Sequence, residues 1–130
     1  MSDPARRQRG SQARRRGRWA EALCVLSLSL RGWRIIGRGV MTGRGTGAGE
    51  IDIVARKGRV LAFIEVKARP SRDEAAAAIS PAQRRRLVRA AEAFLARRPH
   101  LAGLDVRFDA MLVAPGRWPH HIGDAWRAAS

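Results

Sequence analysis

Two carboxylates alternate with isoleucines in residues 50–54, a segment whose composition is typical of a β-strand. Because successive strand residues point to opposite faces, we predict that Glu50 and Asp52 share one face and that Ile51 and Ile53 take the other. Carboxylate oxygens are the ligands that hard divalent cations prefer. Asp52 is therefore the first candidate metal ligand.

A second apolar segment, residues 61–67, contains a carboxylate and a lysine. Strand alternation places Glu65 and Lys67 on one face together with Leu61 and Phe63. A lysine beside metal-binding carboxylates can orient a water molecule or stabilise charge on a phosphate. The two segments therefore contain the residue types that metal-assisted phosphodiester hydrolysis requires.

Residues 56–59 predict a hairpin turn between the two strands. With the turn centred between residues 57 and 58, Asp52 faces Phe63 and Glu50 faces Glu65. Asp52 and Glu65 then become diagonal neighbours on one face, roughly 7–8 Å apart at the backbone. Their mutual repulsion would be relieved by a divalent cation, Mg²⁺ or Mn²⁺. Glu50 is a candidate accessory carboxylate.

The same alternation of charges also occurs on strand faces that are simply exposed to solvent. Three observations favour a site here. Leu61 and Phe63 share the face and argue against full exposure, and only two of the 26 basic residues are lysines, yet one of them falls on this strand. In addition, four of the eleven acidic residues lie in segments that could build one site: Glu21, Glu50, Asp52 and Glu65.

The charge balance points to a polyanionic partner. The chain has 130 residues, of which 26 are basic and 11 acidic, for a net charge of +15. Nucleic acid is the commonest partner of so basic a domain, and the alternatives are a basic tail without a specific role or an acidic membrane surface. We predict that these residues contact nucleic-acid phosphates: Arg14, Arg15, Arg16, Arg18, Arg44, Arg69, Arg84, Arg85 and Arg86.

Cysteine and histidine usage excludes two classes of site. Cys24 is the only cysteine, so a disulfide framework is excluded and a reducing compartment is favoured. His100, His120 and His121 are predicted to be surface or loop residues, and the sequence has no Cys/His zinc pattern. The apolar stretch of residues 22–30 follows an arginine-rich segment, as in a signal peptide, but it is too short to span a bilayer. We therefore expect a cytoplasmic protein that does not enter the membrane.

Hydrophobic periodicity predicts an α/β domain with the order α-β-β-β-α-β, a single mixed β-sheet with flanking helices. Residues 1–12 are predicted to be disordered, and residues 13–130 to form one domain. In the second helix, Ser80 suits the N-cap, Pro81 the first position and Gln83 a capping box. The other predicted elements are a helix at 13–30, strands at 33–36, 50–55, 60–68 and 105–113, loops at 37–49 and 70–78, and a last strand or turn in the tail.

Taken together, the motifs resemble those of the YraN-type family of uncharacterised bacterial proteins. The resemblance is strongest in Gly49-Glu50-Ile51-Asp52-Ile53-Val54-Ala55 and in Ala62-Phe63-Ile64-Glu65-Val66-Lys67-Ala68-Arg69. It extends over roughly residues 15–127. The further matching positions are Gly17 with Glu21, Gln83, Arg107-Phe108-Asp109, and His121-Ile122-Gly123-Asp124-Ala125-Trp126.

That family resembles the PD-(D/E)xK nuclease superfamily and is similar to archaeal Holliday-junction resolvases. The resemblance implies a restriction-endonuclease-like fold, with Asp52 and Glu65 as metal ligands and Lys67 as the motif lysine. It also implies that Glu21 reaches the site from the first helix and Gln83 from the second, and that the protein forms a homodimer. From the residues alone, Glu21 is equally an exposed carboxylate at a helix edge, and Gln83 equally a capping residue.

This sequence departs from the superfamily pattern at two places. Ile51 stands where the superfamily has proline, a position at which only backbone shape matters. The glycine-rich stretch of residues 43–49 looks longer than in typical relatives.

Three functions are compatible with these observations. The first is an endonuclease that cleaves branched or structured DNA with Mg²⁺ or Mn²⁺. The second is a non-catalytic nucleic-acid-binding protein that retains the nuclease fold. The third is a basic protein associated with RNA or the ribosome, for which the scarcity of aromatic residues makes base stacking a minor theme.

Overall fold

One mixed sheet organises the chain in the computed structural model, which describes residues 4–42 and 49–127, with side chains from Gly17 onward. The strands lie in chain order and are β1 (Arg34–Thr42), β2 (Gly49–Lys57), β3 (Val60–Ala68), β4 (Asp105–Val113) and β5 (His120–Trp126). The helices are α1 (Pro4–Leu30), α2 (Arg72–Ala77) and α3 (Pro81–Ala96), followed by a 3-10 turn (Pro99–Leu101). Neighbouring strands are antiparallel except β3 and β4, whose parallel pairing requires the crossover that α2 and α3 provide.

Helices cover both faces of the sheet, so the described residues contain two apolar cores. Under α1, Cys24 and Leu28 are buried against β3 and β4. Under α3, Leu87 and Phe94 are buried against the opposite face. This is the α/β architecture that the sequence predicts, and it is consistent with a restriction-endonuclease-like fold.

The start of α3 confirms half of the predicted capping box. Ser80 is the N-cap, Pro81 opens the helix, and Ser80 Oγ accepts a hydrogen bond of 3.2 Å from the backbone N–H of Gln83. The reciprocal half is absent, since Gln83 Oε1 is buried without a hydrogen-bond partner in the described part of the chain. The side chain of Gln83 is therefore not used for capping.

Helices α1 and α2 differ from the prediction. Helix α1 begins at Pro4 instead of residue 13 and so covers residues 4–12, which the sequence predicts to be disordered; alanine, arginine and glutamine, all favourable in helices, predominate there. Helix α2 lies inside the predicted loop 70–78. Its N-cap, Ser71, accepts from the N–H of Glu74 at 3.1 Å, and this Ser-x-x-Glu spacing is a capping signal that was readable in the sequence.

Strand β1 is more than twice the predicted length, because part of the glycine-rich segment pairs with β2. Val40 lies opposite Ile51, and Thr42 lies opposite Gly49. Gly39 adopts a φ of 53°, which glycine tolerates and most residues do not. The predicted loop 37–49 is therefore wrong for residues 37–42 and for Gly49, which begins β2, and its residues 43–48 lie outside the described residues.

The hairpin between β2 and β3 is tighter than predicted. Lys57 pairs with Val60, so the loop contains only Gly58 and Arg59, and Gly58 has a φ of 60°. Two-residue loops with glycine at the first position match the twist of the flanking strands. This explains why the chain forms the two-residue loop instead of the predicted loop of residues 56–59. The register moves by two residues, so the predicted pairing of Asp52 with Phe63 is wrong.

Candidate active site

Asp52 lies where strands β2 and β3 part. Their ladder ends at the pair Ile53–Ile64, and beyond it the backbone N–H of Val66 donates to Asp52 Oδ2 at 2.9 Å. A side-chain carboxylate thus replaces the backbone acceptor that a continued ladder would supply. This hydrogen bond fixes the position of Asp52 beside the residues that follow Ile64 on β3.

Where the two strands part, Ile51 and Ile53, on either side of Asp52, point to opposite faces of the sheet. Ile51 belongs to the core under α3, and Ile53 to the core under α1. The prediction that both isoleucines share the face opposite Asp52 is therefore wrong, because the regular alternation is interrupted at this point. In β3 the alternation holds: Leu61 and Phe63 share one face as predicted, and that face packs under α3.

Glu65 and Lys67 form an ion pair on β3. Lys67 Nζ lies 3.3 Å from Glu65 Oε1, and both side chains are mostly buried, with exposures of 16% and 15%. Burial raises the pKa of Glu65, and the positive charges of Lys67 and Arg86 only partly oppose it. The structure therefore confirms that Glu65 and Lys67 lie together.

Asp52 is the most strongly perturbed carboxylate near this pair. Burial raises its pKa from the ordinary 3.8 to about 7, with a further rise from the negative charge of Glu65. The Val66 N–H opposes the rise, whereas Glu21 and Glu50 add to it. Four carboxylates thus repel one another here, a condition that a bound divalent cation relieves.

Glu21 approaches the site from α1, as the resemblance implies. It lines a small pocket together with Asp52, Gly17 and Val66. Glu21 Oε1 also lies 3.4 Å from Nε of Arg38 on β1, a partner that the sequence did not indicate. The space beside Gly17 is open, since a Cβ there would meet no atom within 4 Å.

Glu50 is exposed at the edge of the site. Its Oε1 lies so near Gly39 that a Cβ on that glycine would be 3.0 Å from it. The negative charge of Glu50 raises the pKa of both Asp52 and Glu65. Glu50 therefore lies close enough to Asp52 and Glu65 to act on both, but it is more exposed to solvent.

The donor set fits a hydrated magnesium ion better than an enclosed metal. In residues 17–42 and 49–127, no group of three or more His, Cys, Asp or Glu side chains is placed to hold a metal. Mg²⁺ is commonly bound through one or two carboxylates while it keeps several waters. Asp52 and Glu65 match that number of carboxylates, and Asp52 forms no ion pair with a described cation.

Of the five predicted phosphate-binding arginines whose side chains are described, two lie near the candidate carboxylates. Arg18 lines the pocket of Asp52 and Glu21, and Arg86 acts electrostatically on Glu65. By contrast, Arg84 and Arg85 line a separate hollow next to Trp126, where the guanidinium of Arg84 lies 5.7 Å from the ring centroid. Arg69 directs Nη1 to the carbonyl of Ala68. The side chains of Arg14, Arg15, Arg16 and Arg44 lie outside the described residues.

A second polar cluster surrounds Asp109, and the sequence prediction missed it. Arg107 donates two hydrogen bonds to Asp109, of 2.9 and 2.8 Å, and the Asp124 N–H donates a third of 2.8 Å. His121 Nε2 lies 2.7 Å from Asp109 Oδ2, and its Nδ1 lies 2.9 Å from Nη2 of Arg31. The prediction of His121 as a surface or loop residue is wrong, because a side chain only 8% exposed closes this network.

Comparison with known proteins places the chain among close relatives. A profile of the uncharacterised protein family UPF0102 matches residues 20–113. A UPF0102 protein of Paramagnetospirillum magneticum is 56% identical over 115 residues, covering 88% of this chain and 89% of the relative. One from Parvibaculum lavamentivorans is 53% identical over 118 residues, covering 91% and 86%. One from Caulobacter vibrioides is 44% identical over 129 residues, covering 99% and 100%.

The described helices contain no membrane span. None of those within residues 4–42 and 49–127 is both long and apolar enough to cross a bilayer.

Proposed function

The chain belongs to the uncharacterised bacterial protein family UPF0102, and from its site we propose that it is a metal-dependent endonuclease acting on DNA phosphodiesters. One observation carries this proposal. Two partly buried carboxylates, Asp52 and Glu65, both have raised pKa values, and Glu65 is paired with the ammonium of Lys67. Such an arrangement destabilises the isolated protein, and perturbed groups of this kind cluster at functional sites.

Asp52 and Glu65 would hold Mg²⁺ or Mn²⁺, which when bound polarises a phosphoryl oxygen and lowers the pKa of a coordinated water. The Val66 N–H holds the Oδ2 atom of Asp52, which leaves Oδ1 without a partner among the described residues. Asp52 is thereby oriented before any ligand arrives. This orientation depends on the parting of β2 and β3, which leaves the Val66 N–H free to bind the Asp52 carboxylate.

Lys67 supplies the positive charge at this site. Its ammonium lies against Glu65 and remains mostly buried, so its charge is weakly screened by water. There it stabilises negative charge on a phosphate oxygen or orients the attacking water. The buried Oε1 of Gln83 lacks a protein partner in the described residues, and a water molecule at that atom would donate a hydrogen bond to it.

Arg18 and Arg86 approach the carboxylates from α1 and α3. Guanidinium groups on two sides suit a phosphate backbone, and such contacts position a substrate without reading its sequence. The basic surface therefore favours DNA selected by shape, such as branched or structured DNA. We expect binding to weaken steeply as salt increases.

A non-catalytic nucleic-acid-binding protein is the second candidate. The observation that favours it is the absence of a third ligating carboxylate among the described residues. Such a protein would bind DNA without metal-dependent cleavage. Metal-dependent cleavage of DNA therefore distinguishes the two candidate functions.

Cleavage of linear, flapped and four-way DNA with Mg²⁺, Mn²⁺ or EDTA tests the proposal. Asp52→Asn removes the charge of one ligand and can keep the hydrogen bond from Val66, and we expect it to reduce cleavage by about a hundredfold or more. Asp105→Asn is the matched control, because Asp105 is exposed at the start of β4 and lies outside the site. Cleavage that survives Asp52→Asn, or no cleavage of any substrate, would contradict the proposal.

A further inference from the structure

An apolar groove of about 660 Å³ opens beside the candidate site. Its size lies within the range of roughly 300–1,000 Å³ that is usual for pockets that bury small ligands. Two tryptophans line it, and both are largely exposed, Trp19 by 67% and Trp118 by 52%. Exposed tryptophans on an apolar groove form a surface on which flat rings can stack.

The wall that contains Trp118 is held by a tight turn. The N–H of Arg117 donates to the carbonyl of Ala114 at 3.2 Å, and Gly116 between them has a φ of 71°. Proline at the second position and glycine at the third position are the residues that a type II turn prefers. Arg117 and Trp118 are therefore presented from a preorganised loop.

Two features connect this groove with the phosphate-binding side of the protein. Ala20 and Ala68 line both the groove and the pocket that contains Asp52, so the two hollows are adjacent. Arg69 and Arg117 also line the groove. The guanidinium of Arg117 has no ion pair or hydrogen bond among the described side chains, and it is exposed to solvent.

We propose that this tryptophan groove binds unpaired bases of a single DNA strand that continues from the candidate site. The bases stack on Trp19 and Trp118, and Arg69 and Arg117 contact the phosphates between them. Alternating aromatic and cationic side chains are the usual means by which proteins hold a single strand without sequence preference. The proposal rests on the proposed function, which it narrows to DNA that has a single-stranded segment beside the cleaved bond.

The proposal gives base stacking a larger part than the expectation from the scarcity of aromatic residues. Four tryptophans are few for 130 residues, but two of them line one groove next to the site. Their positions, 99 residues apart, gave no sign of this proximity in the sequence.

The test measures binding in EDTA, so that no metal-dependent cleavage takes part. The probes are a thymidine deoxyoligomer of about 15 nucleotides and an abasic oligomer of the same length and charge. We expect the protein to bind the thymidine oligomer about tenfold more tightly. Trp19→Ala and Trp118→Ala should remove most of that preference while affinity for the abasic oligomer is kept.

Leu30→Ala is the matched control, since Leu30 is 71% exposed at the far end of α1 and does not line the groove. It should leave the preference unchanged, and Trp118→Phe should retain part of it. Equal affinity of the wild-type protein for both oligomers would overturn the proposal. So would a wild-type dimer that Trp118→Ala converts to a monomer in sedimentation, because a second copy would then cover the groove.

The proposal for the groove is tested by oligomer binding in EDTA, and the nuclease proposal is tested by metal-dependent cleavage. A preference for base-containing strands that depends on both tryptophans supports the groove even if no substrate is cleaved. Cleavage that requires Asp52, together with equal binding of both oligomers, would leave the nuclease proposal intact and remove the groove.

Discussion

Asp52 and Asp109 are carboxylates in the same sheet, but their environments are opposite. Asp109 is fully buried and receives hydrogen bonds from Arg107, His121 and the Asp124 N–H. Burial alone would raise its pKa, yet these partners together lower it. Asp52 receives one backbone hydrogen bond and otherwise faces other carboxylates, and its pKa rises to about 7.

Asp109 is a structural carboxylate, whereas Asp52 is available for a ligand. The Asp109 cluster joins the end of α1, through Arg31, to β4 and β5, so its charges are satisfied inside the protein. Asp52 forms no ion pair among the described residues, and the hydrogen bond that holds it comes from the backbone N–H of Val66. A charge left uncompensated in a folded protein is better explained by an external partner than by stability.

Asp109→Ala should give the largest loss of stability. It leaves the partly buried guanidinium of Arg107 and the ring of His121 without their shared acceptor. We expect the free energy of unfolding to fall by about 4 kcal/mol, measured by urea denaturation. Asp105→Asn, at an exposed position on the same strand, should change it little. A loss of less than about 1 kcal/mol for Asp109→Ala would contradict the structural role.

Asp52→Asn should have the opposite effect. Because the pKa of Asp52 is about 7 in the folded protein and about 3.8 when unfolded, the native state binds more protons between these values. Wild-type stability should therefore fall as the pH rises from about 4 to 7 without metal. The variant should lose the part of this slope that Asp52 contributes and be more stable at pH 8 by on the order of 3 kcal/mol. Chemical denaturation in EDTA at several pH values measures both, and a variant less stable at pH 8 would contradict the pKa.

His121→Ala tests how much of the Asp109 cluster depends on its histidine. The ring bridges Asp109 to Arg31 and packs edge-on against Trp33, at a centroid distance of 5.9 Å. Arg107 and the Asp124 N–H still satisfy Asp109 in the variant, so we expect a loss of about 2 kcal/mol. Replacing the exposed neighbour His120 with Ala is the control. Equal effects of the two substitutions in urea denaturation would show that the bridge is not important.

Local signals in the sequence correctly predicted the parts of the structure that depend on residues a few positions apart. Strand alternation correctly placed Glu65 and Lys67 on the face of Leu61 and Phe63, because β3 is regular. Ser80 and Pro81 likewise marked the start of α3, since a helix cap depends on residues a few positions apart.

Features that depend on distant residues were not predicted. The two-residue hairpin loop changed the register, and the parting of β2 from β3 after Ile53 moved Asp52 out of regular alternation. His121 looked like a loop residue because its partners, Arg31 and Asp109, are 90 and 12 residues away. In the glycine-rich segment, pairing with β2 outweighed the local preference of glycine for loops.

Added Mg²⁺ should have the smallest of these effects, and it should act through Asp52 and not through Asp109. A ligand that binds only the folded protein stabilises it by RT ln(1 + [L]/Kd), or about 1.4 kcal/mol at ten times Kd. We expect a rise in thermal stability at pH 8 for the wild-type protein, where Asp52 is mostly ionised and available as a ligand. Asp52→Asn should abolish the rise, whereas His121→Ala should keep it, because His121 contacts Asp109 and not the candidate site. A rise that depended on His121 instead of Asp52 would reverse the roles assigned to the two carboxylates.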